Sequence, residues 1–242
     1  MKILAFDTAT RATTVALDGV DGAVLEGRHD PPPGARPGHA TELLPLAAHL
    51  LERGQVGWGD LDRIAAGIGP GTFTGLRIGI ATARALSRAQ GIPLIGISTL
   101  QSLALNARSL PMGAGLDCVV AVLDARRGEV FAASWRREEI EDAQSALISP
   151  GAFLPQALVQ ALGELAGTSL AIGDGAVQFR QVLERSGAFV PEDDSELHRV
   201  TAVGHCRLAR RLHGAEPDQV RPQYLRAPDA RPSRSWRAAA ER

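Results

Sequence analysis

Three kinds of residue in this 242-residue chain could do chemistry: an aspartate closing the first apolar run, a glycine-dense turn, and six histidines. Asp7 follows the apolar run 3–6 and precedes Thr8-Ala9-Thr10. A carboxylate there can accept hydrogen bonds from a turn, or it can contact a ligand. The turn Gly69-Pro70-Gly71-Thr72 leads from an apolar strand at 64–68 into an amphipathic helix. Gly69 and Gly71 permit positive φ, and Pro70 fixes its own φ between them. Thr72 or Thr74 can cap the first N–H groups of the helix. Such a corner can hold an anion on backbone N–H groups, but it supplies no nucleophile, base or metal ligand. Gly71-Thr72-Phe73-Thr74-Gly75 carries Phe where a G-x-S-x-G elbow needs its nucleophile, which excludes that hydrolase chemistry. A metal pair on one helix needs histidines three or four apart. His39 and His49 are ten apart, so at ~100° per residue their rings point roughly 80° away from each other. His39 reads instead as a hydrogen-bonding residue at a helix entry. His198, His205 and His213 fall in no nucleophile–base motif. Cys118 and Cys206 form no CxxC pair and read as small buried or partly buried hydrophobes. No catalytic residue and no metal site is expected.

The elements that position these groups follow from periodicity. Residues 2–7 read as a buried strand, 13–17 as its hairpin partner and 23–25 as a third strand. Residues 29–38, rich in proline and glycine, are a loop. A helix is expected over 41–52, with Pro45 in its first turn and Leu43, Ala47 and Leu50 on one face. Residues 64–68 are a strand, 76–89 a second helix stopped by Gly91 and Pro93, and 94–97 another strand. Ser98 or Thr99 then caps a helix reaching Asn106. The second half repeats the pattern. A strand at 118–124 ends in Asp124, turns at 125–128 and returns over 129–135. Later, Leu170-Ala171-Ile172 runs through Gly173-Asp174-Gly175 into a helix at Ala176. The spacing predicts an α/β protein of two related lobes, a duplication with low identity between its halves. The lobes span 1–108 and 109–228, a return of the last helix to the first lobe is expected, and 229–242 form a flexible, arginine-bearing tail.

Bulk composition narrows the classes. Net charge is -1 and aromatic content 4%, which argues against tight nucleic-acid binding by the chain alone. No window is apolar enough to span a bilayer, and the start of the chain lacks a signal-peptide h-region, so a cytoplasmic protein with no membrane partner is expected.

The second helix carries Gly75, Gly79 and Ala83 at four-residue spacing, a smooth stripe open to close helix approach. With Leu76 and Ile80, and with Leu43, Ala47 and Leu50 on the first helix, it makes a large apolar area. That area is either buried within the lobe or presented to a partner. In actin-like and sugar-kinase-like ATPases a glycine-containing phosphate loop follows an aspartate placed as Asp7 is. Ala9 holds the glycine's position here, and its Cβ obstructs close approach of a phosphate. Asp7 is therefore read as a turn acceptor, with nucleotide contact at Asp7, Thr8, Gly69 and Gly71 as the alternative.

Five blocks carry a resemblance to a known family: Ile3-Leu4-Ala5-Phe6-Asp7-Thr8-Ala9-Thr10; His39-Ala40-Thr41-Glu42-Leu43-Leu44-Pro45; the run from Gly69 to Gly79; Leu123-Asp124-Ala125-Arg126-Arg127-Gly128-Glu129-Val130; and Pro222-Gln223-Tyr224-Leu225-Arg226. The chain resembles the TsaB (YeaZ) family, non-catalytic subunits of the bacterial machinery for N6-threonylcarbamoyladenosine. The resemblance implies an actin-like ATPase (ribonuclease H-like) fold and a scaffold needed to modify adenosine 37 of ANN-decoding tRNAs. It implies pairing with a TsaD-type transferase through the first two helices, which places Leu43, Ala47, Leu50, Leu76, Gly79, Ile80 and Ala83 at the interface. Without the transferase, the same surface would support a homodimer. A TsaE-type ATPase would join the pair, a TsaC-type synthase would supply the threonylcarbamoyl-adenylate, and tRNA would be met only through the complex. The paired metal-binding histidines of the transferase are absent, since Leu43 stands four residues after His39. No cofactor is expected for the chain itself, and weak ATP or ADP binding is expected at the subunit interface. The rival reading is a nucleotide-binding ATPase or kinase-like protein of the same fold.

Overall fold

A computed structural model of the chain describes residues 1–110 and 115–226. Residues 111–114 and 227–228 of the expected second lobe, and all of the expected tail 229–242, fall outside the described residues.

The first lobe opens with β1 (Ile3–Asp7), β2 (Thr13–Val20) and β3 (Ala23–His29), an antiparallel meander. Helix α1 (His39–Arg53) leads to β4 (Arg63–Gly69), which pairs parallel to β1, and α2 (Phe73–Gln90) leads to β5 (Leu94–Ser98). The sheet order is β3-β2-β1-β4-β5. After the short α3 (Thr99–Ala104), the second lobe repeats the plan with β6 (Cys118–Arg126), β7 (Glu129–Arg136) and β8 (Ala146–Phe153). Helix α4 (Pro155–Leu162) precedes β9 (Ser169–Ile172), which pairs parallel to β6. That sheet runs β8-β7-β6-β9. Helices α5 (Asp174–Gln178), α6 (Arg180–Arg185) and α7 (Ala202–Ala209) complete the described chain. Three antiparallel strands followed by a parallel one, twice over, is the actin-like (ribonuclease H-like) fold.

Period-two alternation along the central strands divides the core into layers. Ile3 and Ala5 of β1 face inward with Val119, Ala121 and Leu123 of β6, and α3 and α7 fill the space between the two sheets. The alternate residues Leu4 and Phe6 face outward and are covered by Leu43, Ala47 and Leu50 of α1 and Ala83 of α2. On the far side Val120 and Val122 are covered by Leu158, Ala176 and Leu183. Burial of this kind stabilises by about 25 cal/mol per Å² of apolar surface, which is why α1 and α2 turn their apolar faces onto the sheet of their own lobe.

Two local expectations change. Helix α1 starts at His39, because the Gly38 carbonyl accepts from both Thr41 N (3.0 Å) and Glu42 N (2.8 Å). Pro45 therefore falls in the second turn, with its ring exposed. The side chain of Thr72, the residue preceding α2, makes no capping bond.

Candidate functional site

The glycine turn after β4 is docked onto the turn after β1. Gly69 has φ +107 and its bond to Pro70 is cis. Gly71 is not in the left-handed region; it is needed for close approach. A Cβ on it would lie 2.4 Å from the Ala9 carbonyl oxygen and 2.5 Å from the Ala9 Cβ. Thr72 N donates to that Ala9 oxygen at 2.7 Å, so this N–H of the corner is spent inside the protein. Thr8 completes the dock by donating from Oγ1 to the Gly75 carbonyl at 2.8 Å. A Cβ on Gly75 would lie 1.9 Å from the Thr8 carbonyl oxygen, and one on Gly79 2.3 Å from Thr8 Oγ1. The smooth stripe on α2 thus receives this turn rather than another helix.

Asp7 lies behind the corner, 1% exposed. Its Oδ1 accepts from Ala9 N at 2.6 Å, the expected turn-acceptor role. Its Oδ2 meets Thr99 Oγ1 at 2.7 Å and His205 Nε2 at 2.9 Å. Burial pushes this carboxyl up, but the His205 hydrogen bond and charge, the Ala9 N–H and the Thr99 hydroxyl together hold it below the usual range. His205 Nδ1 meets Ser102 Oγ at 2.7 Å, so serine, histidine and aspartate stand in line. All three are buried, which removes the serine from any substrate and makes the line a tie between α3, α7 and β1. Asp7 and His205 are 198 positions apart, and no sequence spacing announces their meeting. His39 hydrogen-bonds through Nδ1 to Thr13 Oγ1 at 2.8 Å, and burial holds its pKa below the ordinary histidine value. His49 is exposed on another face of α1. Among the described residues no group of three or more His, Cys, Asp or Glu is placed to hold a metal ion.

A cleft of about 440 Å³ opens between the lobes. One wall is Ala9, Thr10, Arg11 and the segment Pro70-Gly71-Thr72-Phe73; the other is Leu123, Asp124, Ala125, Arg126, Phe131 and Asp174, with Gln223 to Arg226 along the edge. Of the four residues considered for nucleotide contact, only Gly71 lines it; Asp7, Thr8 and Gly69 are buried behind. Sequence reasoning missed the second-lobe wall. Asp174 Oδ1 accepts from Asp124 N at 3.0 Å. Asp174 is open to the cleft yet crowded by protein; burial pushes its carboxyl up and the Asp124 charge adds to this, against the hydrogen bond from Asp124 N. Arg126, Arg127 and Gly128 all have positive φ, a sharp turn in which Arg126 N donates to Asp124 Oδ1 at 2.8 Å. Arg226 donates to the Ala125 carbonyl at 2.9 Å and to Glu129 at 3.0 Å. At the rim Phe73 and Tyr224 stack with centroids 5.4 Å apart, and Arg77 lies 3.7 Å over the Phe73 ring. The cleft can hold a small polar or aromatic molecule, and its first-lobe wall offers it no carboxylate.

The seven residues expected at a partner interface, Leu43, Ala47, Leu50, Leu76, Gly79, Ile80 and Ala83, are all buried in the first lobe itself. Their apolar face covers the sheet, and the opposite face of the same helices is exposed. That face carries Leu44, 46% exposed, with Pro45 and Ala48 on α1 and Ala81 and Ala85 on α2. No helix among the described residues is long and apolar enough to cross a membrane.

Residues 31–182 match the family model TsaD: tRNA N6-adenosine threonylcarbamoyltransferase. The chain is similar to the tRNA threonylcarbamoyladenosine biosynthesis protein TsaB of Escherichia coli (strain K12), with 33% identity over 196 residues, 77% of each chain. It is similar in structure to YeaZ from Pseudomonas aeruginosa, with a TM-score of 0.72 and 29% identity over 93% of this chain and 99% of that one. A second Pseudomonas aeruginosa structure, of an uncharacterized protein with similarity to peptidase YEAZ, gives a TM-score of 0.74 and 28% identity over the same shares. With two of these likenesses running over nearly the whole chain, the protein belongs to the TsaB (YeaZ) family.

Proposed function

We propose that this chain is the non-catalytic subunit of a tRNA N6-threonylcarbamoyladenosine assembly, and that it acts by binding and supporting the TsaD-type transferase. The observation that carries this reading is the closed corner. Ala9 packs into the space in front of Gly71, and the carboxylate of Asp7 is turned inward to His205. A first lobe built this way keeps its hydrogen bonds for its own cohesion, and its outer helices remain free for assembly. The apolar strip of Leu44, Ala48, Ala81 and Ala85 suits close helix packing, because small side chains let axes approach. It would seat the transferase, or a second copy of this chain when the transferase is absent. A TsaE-type ATPase then joins the pair, a TsaC-type synthase supplies the activated threonylcarbamoyl group, and the work is cytoplasmic. The chain needs no cofactor of its own; an adenine nucleotide, where one binds, sits at the subunit interface.

Co-elution with the transferase tests this. Ala48→Arg with Ala81→Glu should abolish the heterodimer while shifting stability by no more than about 0.5 kcal/mol, as exposed substitutions do. A heterodimer that survives both substitutions would remove the outer helical face from the account. The second reading, nucleotide binding by the chain itself, is favoured by the open cleft with Asp124 and Asp174 on its wall. Stoichiometric ATP binding by the isolated chain, lost on Asp174→Asn, would select it.

A further inference from the structure

The outer face of α7 and the turn after it carry a feature that neither the cleft nor the paired helices use. Arg207, Arg210 and Arg211 are spaced three and four apart, so they lie on one side. Glu141, in the connection between β7 and β8, meets three guanidiniums at once. Arg207 Nε (2.7 Å) and Arg108 Nη1 (2.8 Å) share its Oε1, and Arg211 Nη1 meets Oε2 at 2.7 Å. Beside them Arg210 grips Asp18 with two bonds, at 2.6 and 2.8 Å. The acids are sunk and the bases stand out: the Glu141 side chain is 7% exposed and the Arg211 side chain 71%. Three guanidiniums share this one carboxylate. The terminal carbonyls of this helical stretch are already served by Arg63, which donates to Ala209 at 2.7 Å and Leu212 at 2.5 Å. Each arginine has five N–H donors in a planar fork, and one bond to Glu141 leaves others for a second acceptor. A phosphate oxygen fits that fork in charge and geometry.

We propose that the Arg108/Arg207/Arg211 cluster is a contact surface for the phosphate backbone of RNA. This rests on the function proposed above, which makes the RNA the tRNA that the assembly modifies. Nucleic-acid interfaces are far more positively charged than protein interfaces, and a raised array of guanidiniums over buried acids matches a polyanion. An overall charge of -1 is no obstacle, because the cluster is local and acts within a larger assembly.

The experiment is tRNA binding to the assembled complex from about 50 to 200 mM salt, with wild type, Arg207→Gln/Arg211→Gln, and Glu141→Gln. A phosphate contact contributes about 0.9 to the slope of log K against log salt. The double arginine variant should therefore lose roughly eightfold in affinity per contact at ~0.1 M salt, and its slope should become shallower by about two. Glu141→Gln, which removes the negative charge beneath the cluster, should bind as tightly as wild type or more tightly. Unchanged affinity and slope in the arginine variant would overturn the proposal. So would equal losses in the double arginine variant and in Glu141→Gln, each with a lowered melting temperature, the mark of a purely structural tie. Weakened assembly with the transferase at unchanged RNA affinity would assign the cluster to an acidic protein surface instead. An assembly that modifies tRNA without this chain would refute the proposed function, a different result from any of these.

Discussion

Replacing Asp7 by alanine should cost more stability than any other single side-chain change discussed. The carboxylate accepts from a backbone N–H, a threonine hydroxyl and a histidine, all in a site from which water is excluded. Its removal leaves these buried partners without their acceptor, at about 1–3 kcal/mol for each group left unsatisfied. Asp7→Asn keeps the shape and a carbonyl oxygen for Ala9 N, and its amide can donate to a His205 tautomer with a free Nε2. It should cost less, about 1–2 kcal/mol, the range for a rearranged buried hydrogen bond. Urea denaturation of wild type, Asp7→Ala, His205→Ala and the double variant measures both the loss and the coupling between the two sites. The pH dependence follows from the direction of the Asp7 shift. The folded-state carboxyl lies below its unfolded value of 3.8, so its contribution is fully present above that pH. It is lost as pH falls through the lower folded value, and Asp7→Asn should flatten that acid limb. A loss under about 1 kcal/mol in Asp7→Ala, or additive single variants, would refute the argument that this pair fastens α7 to β1.

The glycines of α2 test the docking of the β1 turn. Gly79→Ala and Gly75→Ala should each destabilise by about 1–3 kcal/mol, as overpacking does; a Thr8→Ala background should relieve the first, which clashes with Thr8 Oγ1, and not the second, which meets its carbonyl, as seen in thermal melts. Cys118 and Cys206 are buried and burial raises both thiol pKa values, so a thiol reagent at neutral pH should label neither in native protein and both in denaturant.

Local signals in the sequence carry much of this structure. The apolar run into Asp7, the turn at Gly69 to Gly71 and the repeat at Cys118 to Asp124 are set by residues near one another in sequence, and each forms the expected element. The expected interface residues show the limit of the method. An amphipathic stripe says that a helix has an apolar face, and it does not say which neighbour covers it. Here the sheet of the same lobe takes Leu43, Ala47 and Leu50, and the pattern alone does not separate that neighbour from a partner. Gly71 shows a second limit. Its glycine is demanded by Ala9, more than 60 positions away, and not by its own backbone angles. The Asp7–His205 pair joins opposite ends of the chain and the Glu141 cluster joins three separate elements, and such meetings follow from topology rather than spacing. The strand β8 has no clear signal in the sequence: Ser149-Pro150-Gly151 interrupts its alternation, and it lies at the sheet edge beside β7.

The most direct test of the central claim is reconstitution. Threonylcarbamoylation of an ANN-decoding tRNA would be followed with TsaC-, TsaD- and TsaE-type partners from the same organism, with and without this chain. The account predicts modification only when the chain is present, and none from the chain alone. Equal modification in its absence would contradict the account and bring nucleotide binding in the cleft to the front.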